Sequence, residues 1–120
     1  MNALLEERKL RIAQLERQLF AQTARSYAGR GDVLHFEEGL APASVRELAD
    51  MIAEECGGTA AVFSGTDEDG YSFCLVTRSG DLRERTKAMT AALGGRGGGK
   101  PNFQQGSVKC ARAAIEAFFR

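Results

Sequence analysis

Apolar residues recur at helical spacing over residues 4–28, at the start of the chain. Leu5, Ile12 and Leu19 repeat every seven positions, and Leu15 occupies the intervening apolar position of the heptad. The other two such positions carry polar side chains, so the apolar seam is interrupted. A seam of this kind is typical of a coiled coil. The pattern predicts a helix that meets a partner chain through these four side chains.

The rest of the chain alternates short apolar runs with apolar positions three or four residues apart. The runs predict β-strands and the spaced positions predict helices. An Asp-Gly pair at 69–70, between two strand patterns, predicts a β-hairpin. The predicted strands are 33–36, 59–64 and 71–77, with a short candidate at 103–105, and the predicted helices after the first are 42–56, 82–93 and 107–118.

Two serines are predicted to begin helices. Ser44 precedes Glu47 by three residues and fits a capping box, in which each side chain accepts a hydrogen bond from an unpaired backbone N–H. Ser107 is predicted to cap the last helix, which has Ile115 on its apolar side. This order of elements predicts an α/β fold, a small mixed β-sheet with helices packed on it. We expect a coiled-coil-like helical segment over 1–30 and a globular domain over 31–120.

Composition narrows the class of protein. With 120 residues, 43% hydrophobic and 27% charged, the chain has the make-up of one globular domain. No apolar stretch approaches the roughly 20 residues of a transmembrane helix, and no signal-peptide pattern opens the chain. The three cysteines include no CxxC pair and predict reduced thiols in a cytoplasmic protein: Cys56, Cys74 and Cys110.

Charge is balanced in total but not along the chain. Residues 1–30 carry six basic and three acidic side chains, residues 31–71 carry one and ten, and residues 72–120 carry nine and three. The basic final segment can steer a polyanion to one surface of the protein, unless the charges mix and cancel on folding.

The chemically distinctive segment is 94–101, which packs five glycines and two cations into eight residues. Glycine at this density indicates positive φ or close approach of the backbone to another group. Consecutive N–H groups at 97–99 could form an anion-binding nest, with Arg96 and Lys100 adding charged contacts to phosphate. Pro101 after Lys100 excludes a Walker A loop, and Lys100 in place of the third glycine excludes a dinucleotide fingerprint.

No catalytic or metal-binding pattern accompanies this segment. His35 is the only histidine and is expected to be structural. The carboxylates of Asp67, Glu68 and Asp69 are expected to form a solvated hairpin turn. No GxSxG motif and no metal-ligand spacing is present, so we predict neither a catalytic residue nor a cofactor in this chain.

The segment 93–107 resembles the signature of a known family. A glycine run is followed by Lys100-Pro101-Asn102-Phe103, then by Gln105-Gly106. This pattern is similar to the C-terminal domain associated with DHH phosphoesterases, which also ends alanyl-tRNA synthetases and the longer alanyl-tRNA editing proteins. The resemblance covers about 30–120, and the form of the motif looks most like the editing proteins.

The resemblance implies a function for the segment. It implies a module that binds tRNA for alanine, dimerises through the N-terminal heptads and serves an upstream domain that clears Ser- or Gly-tRNA. Zinc would belong to that missing editing domain. The implied binding residues are Gly95, Arg96, Gly97, Gly98, Gly99, Lys100, Asn102 and Gln105. A basic extension of the site is expected from Arg78, Arg83, Arg85, Lys87, Lys109 and Arg112.

Two other interpretations remain open. The domain could clamp the phosphate end of an oligonucleotide or nucleotide for a missing DHH phosphoesterase domain, although Lys100 stands where those proteins usually carry His. It could also be a purely structural dimerisation cap built on the N-terminal helix.

Overall fold

In a computed structural model of the chain, residues 3–78 and 80–119 are described, with the side chains of 11, 14–78 and 80–119. The described residues form four helices and five strands. In chain order these are α1 (Ala3–Ser26), β1 (Gly31–Glu37), α2 (Pro42–Cys56), β2 (Gly57–Thr66), β3 (Gly70–Thr77), α3 (Arg83–Leu93), β4 (Gly95–Lys100), β5 (Phe103–Val108) and α4 (Arg112–Phe118).

The strands form one mixed sheet in the order β1-β2-β3-β5-β4. The pair β1 and β2 is parallel, joined by the crossover helix α2, and the remaining neighbours are antiparallel. The predicted α/β class and the hairpin between β2 and β3 are therefore confirmed.

Helices cover the two faces of the sheet unequally. On one face, α1 and α2 bury a core that includes Leu48, Ile52 and Val62. On the other face, α3 and α4 bury a core that includes Phe73 and Met89. Helix α2 packs on β1, β2 and β3, whereas α3 packs on β4 and β5 from the opposite side. On the α2 side, none of the described helices has its main packing contacts on β4.

The predicted capping box at Ser44 is wrong. The residue before α2 is Ala41, and it makes no side-chain cap, while Pro42 occupies the first turn. Proline at the first helical position removes one of the unpaired N–H groups of a helix start, and its fixed φ favours the helix. The Ser44 hydroxyl instead donates to Glu16 of α1 at 2.7 Å, and Glu47 pairs with Arg17 at 3.0 Å. Both side chains join α1 to α2.

The last helix also begins later than predicted. Ser107 lies in β5, opposite Arg96 of β4, and Ala111 precedes α4 without a side-chain cap. Pairing of β5 on both of its edges holds Ser107 and Val108 in extended backbone, so the helix starts only at Arg112.

Helix α1 is anchored by its second half. Phe20 and Ala24 are buried in the core that α2 shares with the sheet. The seam predicted for dimerisation lies elsewhere on the helix, where Leu15 and Leu19 are 50% and 61% exposed. The side chains of Leu5 and Ile12 fall outside the described residues. The division into 1–30 and 31–120 stays a prediction.

Within the described ranges, no helix has both the length and the apolar character needed to cross a membrane.

Candidate functional site

The glycine-rich segment is a strand and not the predicted loop. Residues Gly95–Lys100 pair with Phe103–Val108 in an antiparallel hairpin and form the edge of the sheet. The N–H of Lys109 donates to the carbonyl of Gly94 at 3.1 Å. Because antiparallel backbone groups alternate between facing the partner strand and facing away, the N–H of Gly97 points to the free edge and that of Gly98 to β5. Three consecutive amides at 97–99 therefore do not converge, and the predicted nest is wrong.

The hairpin turn at Pro101 and Asn102 is fixed by backbone hydrogen bonds. The N–H of Thr77 donates to the carbonyl of Asn102 at 3.1 Å, and the N–H of Leu82 donates to that of Pro101 at 2.7 Å. The buried Gln104 amide donates to the carbonyl of Lys100 at 2.7 Å. The turn is thereby tied to the end of β3 and the start of α3, which holds Lys100 and Phe103 opposite each other.

One face of this hairpin carries most of the predicted binding side chains. Strand alternation puts Arg96, Gly98 and Lys100 on the α2 side of the sheet, directly opposite Ser107, Gln105 and Phe103. We call these six residues the open face. All are exposed except Phe103, which is half-buried.

The other face of β4 is closed by packing. A Cβ at Gly97 would lie 2.6 Å from Cζ of Phe73 and 3.3 Å from Cγ2 of Thr86 on α3. A Cβ at Gly95 or at Gly99 would likewise clash with the backbone of β5. Gly99 also has a φ of 149°. The expected close backbone approach is thus real, and its partners are α3 and β5. The predicted site is divided between two faces, because Gly95, Gly97 and Gly99 belong to the packed one.

Gly98 differs from its neighbours. A Cβ there would meet nothing within 4 Å, and its φ is not in the left-handed region. Neither sterics nor backbone conformation therefore requires glycine at this position.

A groove continues the open face toward α2. It encloses about 680 Å³ and is lined by residues that include Arg46, Asp50, Arg78, Lys100 and Phe103. We call it the α2–β4 groove. The guanidinium carbon of Arg46 lies 4.3 Å from the centroid of the Phe103 ring. This distance is that of a cation–π stack.

The cations of the open face and groove are paired to different extents. Arg78 lies 3.2 Å from a carboxylate oxygen of Asp50 and also donates to the Asp50 carbonyl at 3.1 Å. In contrast, none of Arg46, Arg96 and Lys100 forms an ion pair with a described carboxylate. These three positive charges are free to meet an anionic ligand.

Most of the expected basic extension lies elsewhere. Arg83, Arg85 and Lys87 are on α3, across the sheet from the open face, and Arg83 is bound to Asp81 at 2.7 Å. Arg112 lies beside an acidic groove, over the ring of Phe36. Only two of the six come near the predicted site: Arg78 lines the α2–β4 groove, and Lys109 lies beside Arg96.

Neither Arg46 nor Phe103 was predicted from the sequence as a site residue. Arg46 is the only cation of residues 31–71, and a lone positive charge in an acidic segment was the available signal. Its neighbour Phe103 is 57 positions away in the chain, so only the folded sheet brings the two together.

A second groove, lined by acidic side chains, lies at the turn that joins β2 to β3. Its Asp67 carboxylate accepts hydrogen bonds from the Arg112 backbone N–H at 2.9 Å and from the Tyr71 hydroxyl at 2.7 Å. These bonds, the first above all, lower the pKa of Asp67, while burial and then the bond to Asp67 raise the pKa of Tyr71 to about 12. Among the described residues no three His, Cys, Asp or Glu side chains are grouped to hold a metal ion.

The three cysteines are free thiols in the described structure. Cys56 and Cys74 are buried and Cys110 is half-buried. Burial raises the pKa of Cys74 to about 12 and also raises that of Cys110. Both shifts favour the thiol over the thiolate, which is the nucleophilic form.

Comparison with known proteins places the whole β4–β5 hairpin inside the range matched by one family model. A family model described as the DHHA1 domain matches residues 20–120. An alanine–tRNA ligase of Chelativorans sp. (strain BNC1) is 34% identical over 99 residues, covering 74% of this chain and 11% of the ligase. An alanine–tRNA ligase of Anaeromyxobacter dehalogenans is 30% identical over 120 residues, covering 84% of this chain and 13% of the ligase. The chain therefore spans a small fraction of these relatives.

A solved structure shares the fold. The C-Ala domain of Aquifex aeolicus alanyl-tRNA synthetase superposes with a TM-score of 0.58 at 22% identity, covering 70% of this chain and 85% of that one. At this identity the likeness concerns the fold alone.

Proposed function

Since this chain belongs to the DHHA1 domain family, we propose that it is a C-terminal module that binds tRNA through the open face. Its parent would be similar to an alanyl-tRNA synthetase or to an alanyl-tRNA editing protein of the cytoplasm. The module would hold the tRNA, preferably that for alanine, while a catalytic domain outside this chain acts on it. An editing parent would use zinc, and this zinc would be held by its editing domain outside this chain.

The observation that carries the proposal is Gly98 between two unpaired cations. Arg96 and Lys100 flank it on the open face, and nothing in the fold fills the space where its side chain would be. A bare backbone allows a phosphate to approach closely, and the neighbouring Arg and Lys supply the charge-assisted contacts that hold it. This arrangement replaces the nest as the physical basis for binding the RNA backbone.

The experiment is a salt titration of binding to folded alanine tRNA. Each phosphate contact contributes a slope of roughly −0.9 in log affinity against log salt. We expect Lys100→Ala to weaken binding and to make the slope less negative by about that amount. Lys87→Ala is the matched control, since it removes the same charge from α3 across the sheet. A wild-type slope near zero, or equal effects of the two variants, would overturn the proposal.

The DHH phosphoesterase interpretation makes a different forecast in the same assay. A domain that clamps the end of an oligonucleotide should bind a short single strand more tightly than folded tRNA. Preference for folded tRNA would favour the present proposal.

Homodimerisation through α1 is a separate part of the proposal. Leu15 and Leu19 are large apolar side chains exposed on the outer side of a helix whose next turns are buried. Exposed leucines at heptad spacing are what a second helix would cover. Binding of tRNA by the open face does not depend on this contact.

A further inference from the structure

We infer that the α2–β4 groove receives the base of one unpaired nucleotide of the bound RNA, stacked on the guanidinium of Arg46. This inference rests on the proposed function and adds a base contact to it. The exposed side chains of the open face account for phosphate. Its aromatic ring, Phe103, is half-buried and also lines the α2–β4 groove, where Arg46 lies over it.

The stack in the groove is built from two elements. Arg46 projects from α2 and lies over the ring of Phe103 on β5, with 4.3 Å between the guanidinium carbon and the ring centroid. Phe103 is half-buried and packs on the core below, so it forms the floor of the stack. Arg46 is exposed, so its guanidinium is accessible to a ligand in the groove. Bases of unpaired nucleotides stack on arginine planes and on aromatic rings.

The charges of the groove suit a nucleotide. Its two carboxylates are already engaged, because Glu47 pairs with Arg17 at 3.0 Å and Asp50 with Arg78 at 3.2 Å. Arg46 and Lys100 line the same groove without a carboxylate partner among the described residues. A base on Arg46 and its phosphate near Lys100 would therefore occupy the groove together.

Size and position support the same occupant. The groove encloses about 680 Å³, within the range of small-ligand sites. Lys100 and Phe103 belong to both the groove and the open face, so an RNA strand lying along the open face would pass the mouth of the groove. Bases inside a helical stem are stacked on each other and cannot enter, which limits the occupant to an unpaired nucleotide.

The first test separates the ring stack from the charge. Arg46→Lys keeps the positive charge and removes the planar surface, and Phe103→Leu keeps an apolar side chain and removes the ring. Loss of one stacked base corresponds to roughly a 5- to 100-fold change in affinity. We expect both variants to weaken binding to folded alanine tRNA by about 10-fold without changing the salt slope. Arg85→Lys is the matched control, because Arg85 lies over Phe119 in a similar pair on the other face.

The second test uses a minimal ligand on the wild-type chain. In a nuclear magnetic resonance titration, AMP should shift the signals of Arg46 and Phe103, whereas ribose 5-phosphate should shift only those around Lys100. Unchanged tRNA affinity in Arg46→Lys and Phe103→Leu, together with weaker binding in Lys100→Ala, would overturn the base contact and leave the proposed function standing. If Lys100→Ala also binds as wild type, both fail.

Discussion

The backbone of Gly97 lies against the ring of Phe73, so that a Cβ at position 97 would come 2.6 Å from Cζ of that ring. Phe73 is 2% exposed and cannot swing away into solvent. The neighbouring Gly98 has open space at the same point on its own side of the strand. One glycine is thus required by packing, and the next is not.

This contrast gives a paired prediction for alanine at the two positions. Gly97→Ala should lower the free energy of unfolding by roughly 1–3 kcal/mol, the usual cost of overpacking a core. Gly98→Ala should change the free energy of unfolding by less than about 1 kcal/mol, since its extended backbone accepts any residue. Urea denaturation of both variants measures the difference. Equal destabilisation would show that α3 does not close the packed face as described.

Gly98→Val extends the pair to binding. A branched side chain between Arg96 and Lys100 would keep phosphate from the backbone, so tRNA affinity should fall while the fold persists. A filter-binding assay beside the denaturation curve separates these effects. Unaltered affinity in a folded Gly98→Val protein would count against the open face.

The end of α1 is attached to β1 through a hydrogen-bonded histidine. The Tyr27 hydroxyl lies 2.7 Å from Nδ1 of His35, and Nε2 of that ring lies 2.6 Å from a carboxylate oxygen of Glu37. An ionised carboxylate only accepts, so Nε2 of His35 is the donor to Glu37, and the Tyr27 hydroxyl is the partner of Nδ1. Tyr27→Phe should therefore lower the free energy of unfolding by about 1 kcal/mol. Ser26→Ala, which removes an exposed hydroxyl of the same helix turn, should change it less. An equal effect of the two would contradict the role of His35 as a structural link.

The α1 seam predicts the oligomeric state. Replacing Leu15 and Leu19 together by Ser should shift the protein from dimer to monomer in sedimentation equilibrium. Both side chains are already exposed in the single chain. The midpoint temperature of thermal unfolding of the monomer should therefore be the same for the variant and the wild type. A wild type that stays monomeric at high concentration would remove the dimer from the proposal.

The acid stability of the domain should depend on Asp67. Its pKa is lowered from 3.8, chiefly by the hydrogen bond from the Arg112 backbone N–H and then by that from Tyr71. A carboxyl with a lower pKa in the folded state stabilises the fold above its ordinary pKa, and this contribution is lost as the pH falls through the lowered value. Asp67→Asn keeps an acceptor oxygen but no charge, so its free energy of unfolding should decline less steeply below about pH 4. Glu68→Gln on the same turn is the control. If the free energy of unfolding fell equally with pH in the wild type and in Asp67→Asn, Asp67 would not be the group responsible.

The spacing of apolar residues was enough to predict the helices and strands that bury one apolar face. Helices α1, α2 and α3 and strands β1, β2 and β3 follow from spacing, because their core residues repeat at the period of the element. Leu82, Thr86, Met89 and Leu93, for example, are all buried. The hairpin of β2 and β3 follows from its Asp-Gly pair.

Strand β4 could not be predicted in this way. Its residues are glycines and two cations, with no alternation and low strand propensity. It is a strand because β5 pairs with it and because α3 packs on its glycines, and both contacts come from outside the segment. The same limit applies to the site. Arg96 and Lys100 were predicted to contact phosphate, whereas the contact of Arg46 with Phe103 depends on how α2 crosses the sheet.

Continuous helix between Ala3 and Ser26 also sets the orientation of the open face. Its 24 residues extend over about 36 Å at the usual rise, and its second half packs on α2 through Phe20 and Ala24. A domain rigidly joined to the start of α1 would hold a fixed rotation and distance relative to the open face. Inserting one residue into the first half of α1 would rotate the open face by about 100° and move it by about 1.5 Å relative to that domain. The number of residues in α1 therefore sets the direction in which the open face points.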